Sequence, residues 1–135
     1  MIREAMLWDP AGEAGEVACR LCAHRCVVKP GKLGVCAVRE HRDGRLVTRV
    51  YGEAVAAHVD PIEKKPFYHF WPGSKALSIA TAGCNFRCGF CQNWEIAQSP
   101  RRPDGGLRGE PLPPADVVRA AVAAGCRSVS YTYTE

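Results

Sequence analysis

The sequence predicts an α/β fold in which a small cysteine-rich β module precedes the N-terminal part of a partial (β/α) barrel. The apolar run over residues 76–80 is typical of a short buried strand. A helical pattern over residues 114–124 follows, and then a second strand-like run over residues 127–132. This order indicates a βαβ unit, expected to be right-handed with parallel strands. We therefore expect a module and linker over residues 1–75 and a first βαβ unit over residues 76–135.

The helix is the clearest element of this pattern. Pro114 suits its first turn, Asp116 favours the positive N-terminal end, and Gly125 fits the C-terminal cap. The predicted apolar face consists of Val117, Val118, Ala121 and Val122. Cys126 follows the cap and is expected to be a small buried residue rather than a metal ligand.

The first part of the chain has weaker local signals. Residues 4–8 predict a short helix, broken by the Asp-Pro pair that follows, with Trp8 as a packing residue. The Asp-Gly pair at residues 43–44 predicts a hairpin turn. It would join a strand over residues 45–52 to a possible partner strand over residues 35–39.

Three cysteines follow the strand at residues 76–80 in the spacing C-x3-C-x2-C: Cys84, Cys88 and Cys91. They would occupy the loop at the C-terminal end of that strand, where parallel sheets and barrels place their ligands. Gly83 and Gly89 allow the backbone to bend around a bound group. Thiolates favour zinc, copper(I) or iron–sulfur clusters. A cubane cluster takes four cysteines, so three would leave one iron open for chemistry.

A second group of cysteines lies upstream in the spacing C-x2-C-x3-C-x9-C: Cys19, Cys22, Cys26 and Cys36. Four soft ligands within a short segment suit one tetrahedral structural ion, and this is the preferred interpretation. The alternatives are a second iron–sulfur cluster that relays electrons, and reduced cysteines without metal. His24 is a further candidate ligand.

The C-x3-C-x2-C spacing, with the aromatic Phe90 before the last cysteine, resembles the signature of radical S-adenosylmethionine (SAM) enzymes. Residues 60–66, Asp-Pro-Ile-Glu-Lys-Lys-Pro, are followed by Tyr-His-Phe and a Pro-Gly turn. With the upstream cysteine segment and the Cys-Gln-Asn-Trp continuation at residues 91–94, they resemble one branch of that superfamily. This branch is the AmmeMemoRadiSam-system radical SAM enzyme, related to pyruvate formate-lyase activating enzymes. The resemblance covers about residues 17–135.

The resemblance implies a function and a set of site residues. Cys84, Cys88 and Cys91 would ligate a [4Fe–4S] cluster whose open iron is chelated by SAM. One electron would cleave SAM to methionine and a 5′-deoxyadenosyl radical, which abstracts hydrogen from a substrate. Phe90 would lie beside the adenine. Glu135 ends a stretch that partly matches a Gly-Gly-Glu-type motif, with the glycines replaced, and would bind the SAM amine.

The same resemblance implies partners. They are an electron donor such as flavodoxin or ferredoxin, and a protein or peptide substrate from which hydrogen is abstracted at a glycine. Because a full (β/α) barrel needs about 200 residues or more, we expect the chain to be an N-terminal fragment that is inactive alone.

Other polar residues have two open interpretations. Residues 57–73 read as a proline-broken linker whose aromatics pack on the edge of the barrel, or as a segment with residues near the site. The site candidates in it are Glu63, Lys64, Lys65 and His69. In the polar loop over residues 95–113, the basic residues would steer an anionic substrate or be solvated surface charge. They are Arg101, Arg102 and Arg108.

Composition narrows the function class. The net charge of +4, from 18 basic and 14 acidic residues, is mild and spread along the chain, and it gives only weak support for nucleic-acid binding. The sequence has no long apolar run or signal-peptide pattern, so we expect a cytoplasmic protein whose clustered cysteines bind metal.

Two other functional classes compete with the enzyme. The first is a zinc-binding interaction module that uses both cysteine groups, for example Cys19 and Cys22 with Cys88 and Cys91 as a ribbon. The second is a cysteine redox protein, which does not explain the x3 spacing.

Overall fold

The computed structural model describes residues 1–13, 15–104 and 109–132. Its strands are β1 (Arg3–Glu4), β2 (Trp8–Ala11), β3 (Glu16–Cys19), β4 (Val27–Val28), β5 (Arg39–Arg42), β6 (Arg45–Thr48), β7 (Glu53–Ala54), β8 (Ala56–Pro61), β9 (Lys75–Ala80), β10 (Glu110–Pro111) and β11 (Ser128–Tyr131). The α-helices are α1 (Trp94–Gln98) and α2 (Pro114–Ala123), and 3-10 turns cover Ile62–Lys64 and Ser99–Arg101. None of the helices within these residues combines the length and apolar character needed to cross a membrane.

The first half of the chain is a β module made of two small antiparallel sheets. One has the strand order β2-β3-β4 and the other β1-β6-β5. A shared apolar cluster lies between them, and Trp8 and Cys26 pack against it as half-buried residues. Its buried members are Ala5, Val17, Cys19, Val28 and Leu46. The packing role predicted for Trp8 is confirmed.

The helix predicted over residues 4–8 is wrong. Arg3 and Glu4 form a strand paired with β6, and Ala5 N–H donates to Leu46 O at 2.8 Å. Leu7 has a φ of +59°, which an α-helix does not allow. Pairing with a distant strand therefore overrides the weak local helix preference of this segment.

The hairpin turn predicted at residues 43–44 is confirmed. Asp43 and Gly44 have φ values of +51° and +75°, as a two-residue turn of the I′ type requires. The partner strand is β5 at residues 39–42 and not residues 35–39. The earlier segment forms a turn instead, in which Gly34 N–H donates to Arg39 O at 2.8 Å. This turn carries Cys36.

The second half of the chain contains a mixed sheet with the order β11-β9-β8. Strands β9 and β11 are parallel, with Ala76 opposite Ser128, so the predicted βαβ order with parallel strands is confirmed. The larger barrel remains a prediction. Strand β8 was not expected, because residues 57–73 were interpreted as a proline-broken linker or as a segment with residues near the site. It runs antiparallel to β9 and pairs along its whole length, from Ala56 opposite Ala80 to Pro61 opposite Lys75.

Helix α2 is confirmed, and Gly125 caps it with a φ of +67°. Val117 and Ala121 are buried against Leu77 and Ile79 of β9. Cys126 packs beside them but is half-buried, where the sequence predicted a buried residue. The predicted apolar face was too wide, because Val118 and Val122 are 59% and 73% exposed. A single sheet face contacts only one stripe of a helix, and these two valines lie outside that stripe.

Candidate metal centre

The cysteine loop, residues 84–91, leaves the C-terminal end of β9 and leads into α1. It is closed by hydrogen bonds to the elements around it. Gly83 N–H donates to Ile96 O at 3.1 Å, and the Gln98 side-chain amide donates to Phe86 O at 3.2 Å. The short helix α1 therefore folds back on the loop and holds its N-terminal part.

The predicted cluster ligands differ in exposure. Cys88 is exposed, whereas Cys84 and Cys91 are half-buried. Phe90, which the resemblance places beside adenine, is 88% exposed. Glu135, the predicted SAM-amine ligand, lies outside the described residues.

The four upstream cysteines line one small, partly open cavity of about 20 Å³. Cys19 is only 7% exposed, and the Arg39 guanidinium donates a hydrogen bond to its sulfur at 3.5 Å. Two parts of the sequence therefore contribute thiols to the same cavity: the segment at residues 19–26 and the turn at residues 34–39. Its cysteine lining consists of Cys19, Cys22, Cys26 and Cys36.

In neither cysteine group are the sulfur atoms close enough together to form a metal site. In the described part of the chain, no three His, Cys, Asp or Glu side chains are grouped closely enough to hold a metal ion. The chemistry of the donors nevertheless fits the metals considered: each group offers free thiols, and thiolates suit both zinc and iron–sulfur clusters. Metal loading would have to draw the sulfurs of either group closer together.

The two cysteine groups are neighbours in space. A Cβ on Gly83 would lie 2.5 Å from a Val38 methyl and 2.9 Å from Cys36 O, so the loop touches the β module where only glycine fits. Asn85 is 7% exposed and lines the cavity of the upstream cysteines. His24 Nε2 donates to Asn85 O at 2.9 Å.

Arg101 joins the module, the loop and α1. Its guanidinium donates to Val35 O in the module and to Cys84 O in the loop, the latter at 2.9 Å. It also donates to the Gln98 side chain at 2.6 Å. Burial, with a contribution from nearby Arg87, lowers the pKa of Arg101, but an arginine in a protein stays charged. The interpretation of Arg101 as solvated or substrate-steering charge missed this structural role.

The polar site candidates at residues 63–69 follow β8 at the end of the sheet opposite the cysteine loop. The 3-10 turn starts beside Pro61, which pairs with Lys75 at the N-terminal end of β9, about 20 Å along the strand from the cysteine loop. Glu63 accepts a hydrogen bond from Gly73 N–H at 2.7 Å, which lowers its pKa. His69 is exposed.

Lys64 and Lys65 surround a buried carboxylate that the sequence analysis did not single out. Their ammonium groups lie 2.8 and 2.9 Å from Asp60, and Ser78 Oγ donates to it at 2.7 Å. These hydrogen bonds, from Lys64, Ser78 and Lys65 in order of effect, hold the pKa of Asp60 far below its usual range despite its burial. Both lysines thus tie the turn after β8 to Asp60, and Ser78 ties Asp60 to the centre of β9.

A larger cavity of about 410 Å³ lies at the C-terminal ends of β9 and β11. Thr81 and Thr132 line it there, and Val117 and Leu112 close it on the side of α2. Its volume is in the range of small-molecule sites. Thr81, which lines this cavity, lies three residues before Cys84 in the sequence.

Comparison with known proteins finds two archaeal relatives. The chain is 41% identical over 134 residues to the uncharacterized protein MJ0808 of Methanocaldococcus jannaschii, a match over 99% of this chain and 39% of that protein. It is 30% identical over 81 residues to the uncharacterized protein MJ0674 of the same organism, over 59% of this chain and 19% of that protein. The chain thus spans less than half the length of either relative. No family model and no solved structure matches it.

Proposed function

We propose that this chain is the N-terminal part of a radical SAM enzyme of the activating-enzyme type, in which Cys84, Cys88 and Cys91 bind a [4Fe–4S] cluster. One observation carries the proposal. The C-x3-C-x2-C loop leaves the carboxyl end of a strand that pairs in parallel with β11, which is the position where α/β folds bind their ligands.

The residues of the chain would serve this chemistry in distinct ways. Three thiolates occupy three irons of a cubane and leave one for the amino and carboxylate groups of SAM. The cluster would supply the electron that cleaves SAM reductively. Arg101 holds the backbone of Cys84, which fixes the loop for cluster binding. Exposed Phe90 offers a face for adenine, and Glu135 a carboxylate for the SAM ammonium.

The remaining parts of the proposal concern the whole protein. A flavodoxin- or ferredoxin-like donor would reduce the cluster, and a protein or peptide glycine would be the site of hydrogen abstraction. A cytoplasmic location agrees with the cysteines, because all eight are free in the described structure and thiolate ligands need a reducing compartment.

A zinc-binding interaction module remains the alternative function. It would use both cysteine groups, with Cys88 and Cys91 as partners of Cys19 and Cys22. The small cavity described above favours a different grouping, because its lining combines Cys19 and Cys22 with Cys26 and Cys36.

Anaerobic reconstitution separates the two functions. Iron, sulfide and zinc are counted on the wild-type chain, on a variant with Cys84→Ala, Cys88→Ala and Cys91→Ala, and on Cys126→Ala as the matched cysteine control. Reduced samples are examined by electron paramagnetic resonance with and without SAM. We expect about four irons in the wild type and the control. The triple variant should lose them, and SAM should change the wild-type spectrum.

If the wild-type chain contains only zinc and its spectrum does not respond to SAM, the proposed enzyme function is wrong and the interaction module is favoured. Equal iron in the wild type and the triple variant would show that these three cysteines are not the cluster ligands.

A further inference from the structure

The four upstream cysteines line one small cavity, although in the described structure their sulfurs are not grouped closely enough to hold an ion. A volume of about 20 Å³ is little more than the 10–15 Å³ that one water-sized sphere requires. The sequence alone left zinc and a second cluster open. Four cysteines around one pocket match the closed, four-coordinate thiolate set of a structural zinc site, which needs no open position.

The surroundings of the cavity suit the charge of such a site. Zinc with four thiolates carries a net charge of about −2, which needs nearby hydrogen-bond donors. Arg39 donates to the sulfur of Cys19, the most buried of the four cysteines. Asn85, from the cysteine loop, also lines the cavity.

The contacts of this module reach the loop directly. Gly83 lies against the carbonyl of Cys36, so one ligand-bearing turn forms the surface on which the loop rests. The guanidinium of Arg101 bridges that turn, at Val35, to the backbone of Cys84. An ion that fixes Cys36 would therefore also fix the surface beneath the loop.

We propose that Cys19, Cys22, Cys26 and Cys36 bind one zinc ion, and that the zinc-bound module holds the C-x3-C-x2-C loop in position through Gly83, Asn85 and Arg101. The zinc site stands independently of the proposed function. The idea that the positioned loop then binds an iron–sulfur cluster rests on the proposed function.

The zinc site is tested without any iron chemistry. In the background of Cys84→Ala, Cys88→Ala and Cys91→Ala, the purified chain should retain one zinc ion. It should bind one cobalt(II) with a tetrahedral thiolate spectrum after the zinc is removed. Cys22→Ala and Cys36→Ala should each lose this ion, and Cys126→Ala should keep it.

A second measurement covers the case in which the cysteine variants do not fold. Zinc added to the metal-free parent chain should raise its thermal midpoint in a concentration-dependent way, because a ligand of the native state stabilises it by mass action. No retained zinc, no cobalt spectrum and no thermal shift would overturn the site. Iron in place of zinc at these cysteines would do so as well.

The link to the loop is tested with two pairs of variants in the wild-type background. Gly83→Ala places a methyl against Cys36 O and Val38, whereas Gly73→Ala also has a positive φ but meets no atom within 4 Å. Arg101→Gln removes the bridge, whereas Arg102→Gln changes the adjacent exposed arginine. We expect Gly83→Ala and Arg101→Gln to keep one zinc but to lower hydrogen-exchange protection of the loop amides about tenfold. The two controls should not lower it.

Hydrogen exchange needs neither iron nor SAM, so it separates the two proposals. Removal of zinc from the cluster-free wild type should lower protection of the loop in the same way. Unchanged protection in the variants and in the zinc-free chain would overturn the link even if the cluster forms. If the link is present but the wild type binds no cluster, the proposed function fails and the zinc-supported loop remains.

Discussion

Asp60 is 5% exposed, and its hydrogen bonds explain how it keeps a negative charge there. It accepts from two lysines and from Ser78 on the central strand β9. The side chain of Lys65 is itself only 10% exposed, whereas that of Lys64 is 59% exposed. The pair of Asp60 and Lys65 is therefore the buried part of this network, and each depends on the other.

Asp60→Asn should destabilise the chain by about 3 to 5 kcal/mol at neutral pH, the usual cost of breaking a buried pair from one side. The reason is that Lys65 would remain buried without its counter-charge. Urea unfolding followed by circular dichroism measures the change. Glu4→Gln is the control, because its ion pair with Arg45 is exposed and is expected to contribute no more than about 1 kcal/mol. Equal effects of the two substitutions would contradict this interpretation.

The same network predicts the pH dependence of stability. The pKa of Asp60 is lower in the folded chain than in the unfolded one, so the unfolded chain binds the proton more readily. The stabilisation is fully present above the unfolded pKa of about 3.9 and is lost as the pH falls towards the folded value. The stability difference between wild type and Asp60→Asn should therefore shrink below about pH 4. A difference that stays constant down to pH 2 would show that Asp60 is not responsible.

Helix α2 shows how one element is held by one stripe of residues. Val117 packs on Leu77 and Ile79, while its neighbour Val118 is 59% exposed. The sequence pattern made the two valines look equivalent. Contact with β9 makes them different.

Val117→Ala should cost roughly 1.5 to 2 kcal/mol, because it removes two buried methyl groups worth about 0.8 kcal/mol each. Val118→Ala removes the same atoms from the exposed side and should change stability by less than about 0.5 kcal/mol. Thermal and urea unfolding of both variants measure the contrast. A larger loss for Val118→Ala would mean that the helix packs through its other face.

The molecule as a whole depends on β8, which follows the β module in sequence and belongs to the sheet of the βαβ unit. Its six residues pair with all of β9, so β9 is a central strand with β11 on its other side. Without β8, the backbone groups of β9 on that side would lose their partners. The boundary expected near residue 75 therefore cuts through one sheet.

A truncated chain that begins at residue 76 should be much less folded than one that begins at residue 56. Both contain residues 76–80 of β9, α2 and β11, but only the longer one retains Lys75, β8 and the buried network of Asp60. A two-stranded sheet is marginal in water. Circular dichroism and hydrogen exchange of the β9 amides compare the two. Equal protection of these amides would show that β8 is dispensable.

Local patterns in the sequence determined several elements correctly. The apolar run predicted β9, the periodicity and capping residues predicted α2, and the Asp-Gly pair at residues 43–44 predicted the hairpin turn. The cysteine spacings selected both candidate metal groups. These features depend on residues a few positions apart, so a linear sequence contains the information they need.

The tertiary structure decided the features whose partners are distant in sequence. Arg101 reaches Val35, 66 residues away, and His24 reaches Asn85, 61 residues away. Strand pairing replaced the expected helix at residues 4–8 with the end of β1, a bend and the start of β2, and it assigned β8 to the sheet of β9. Solvated charges, linkers and short helices look alike in local sequence. They are distinguished by contacts with residues far away in the sequence, which form only when the chain folds. In this chain, such contacts also place the two cysteine groups next to each other.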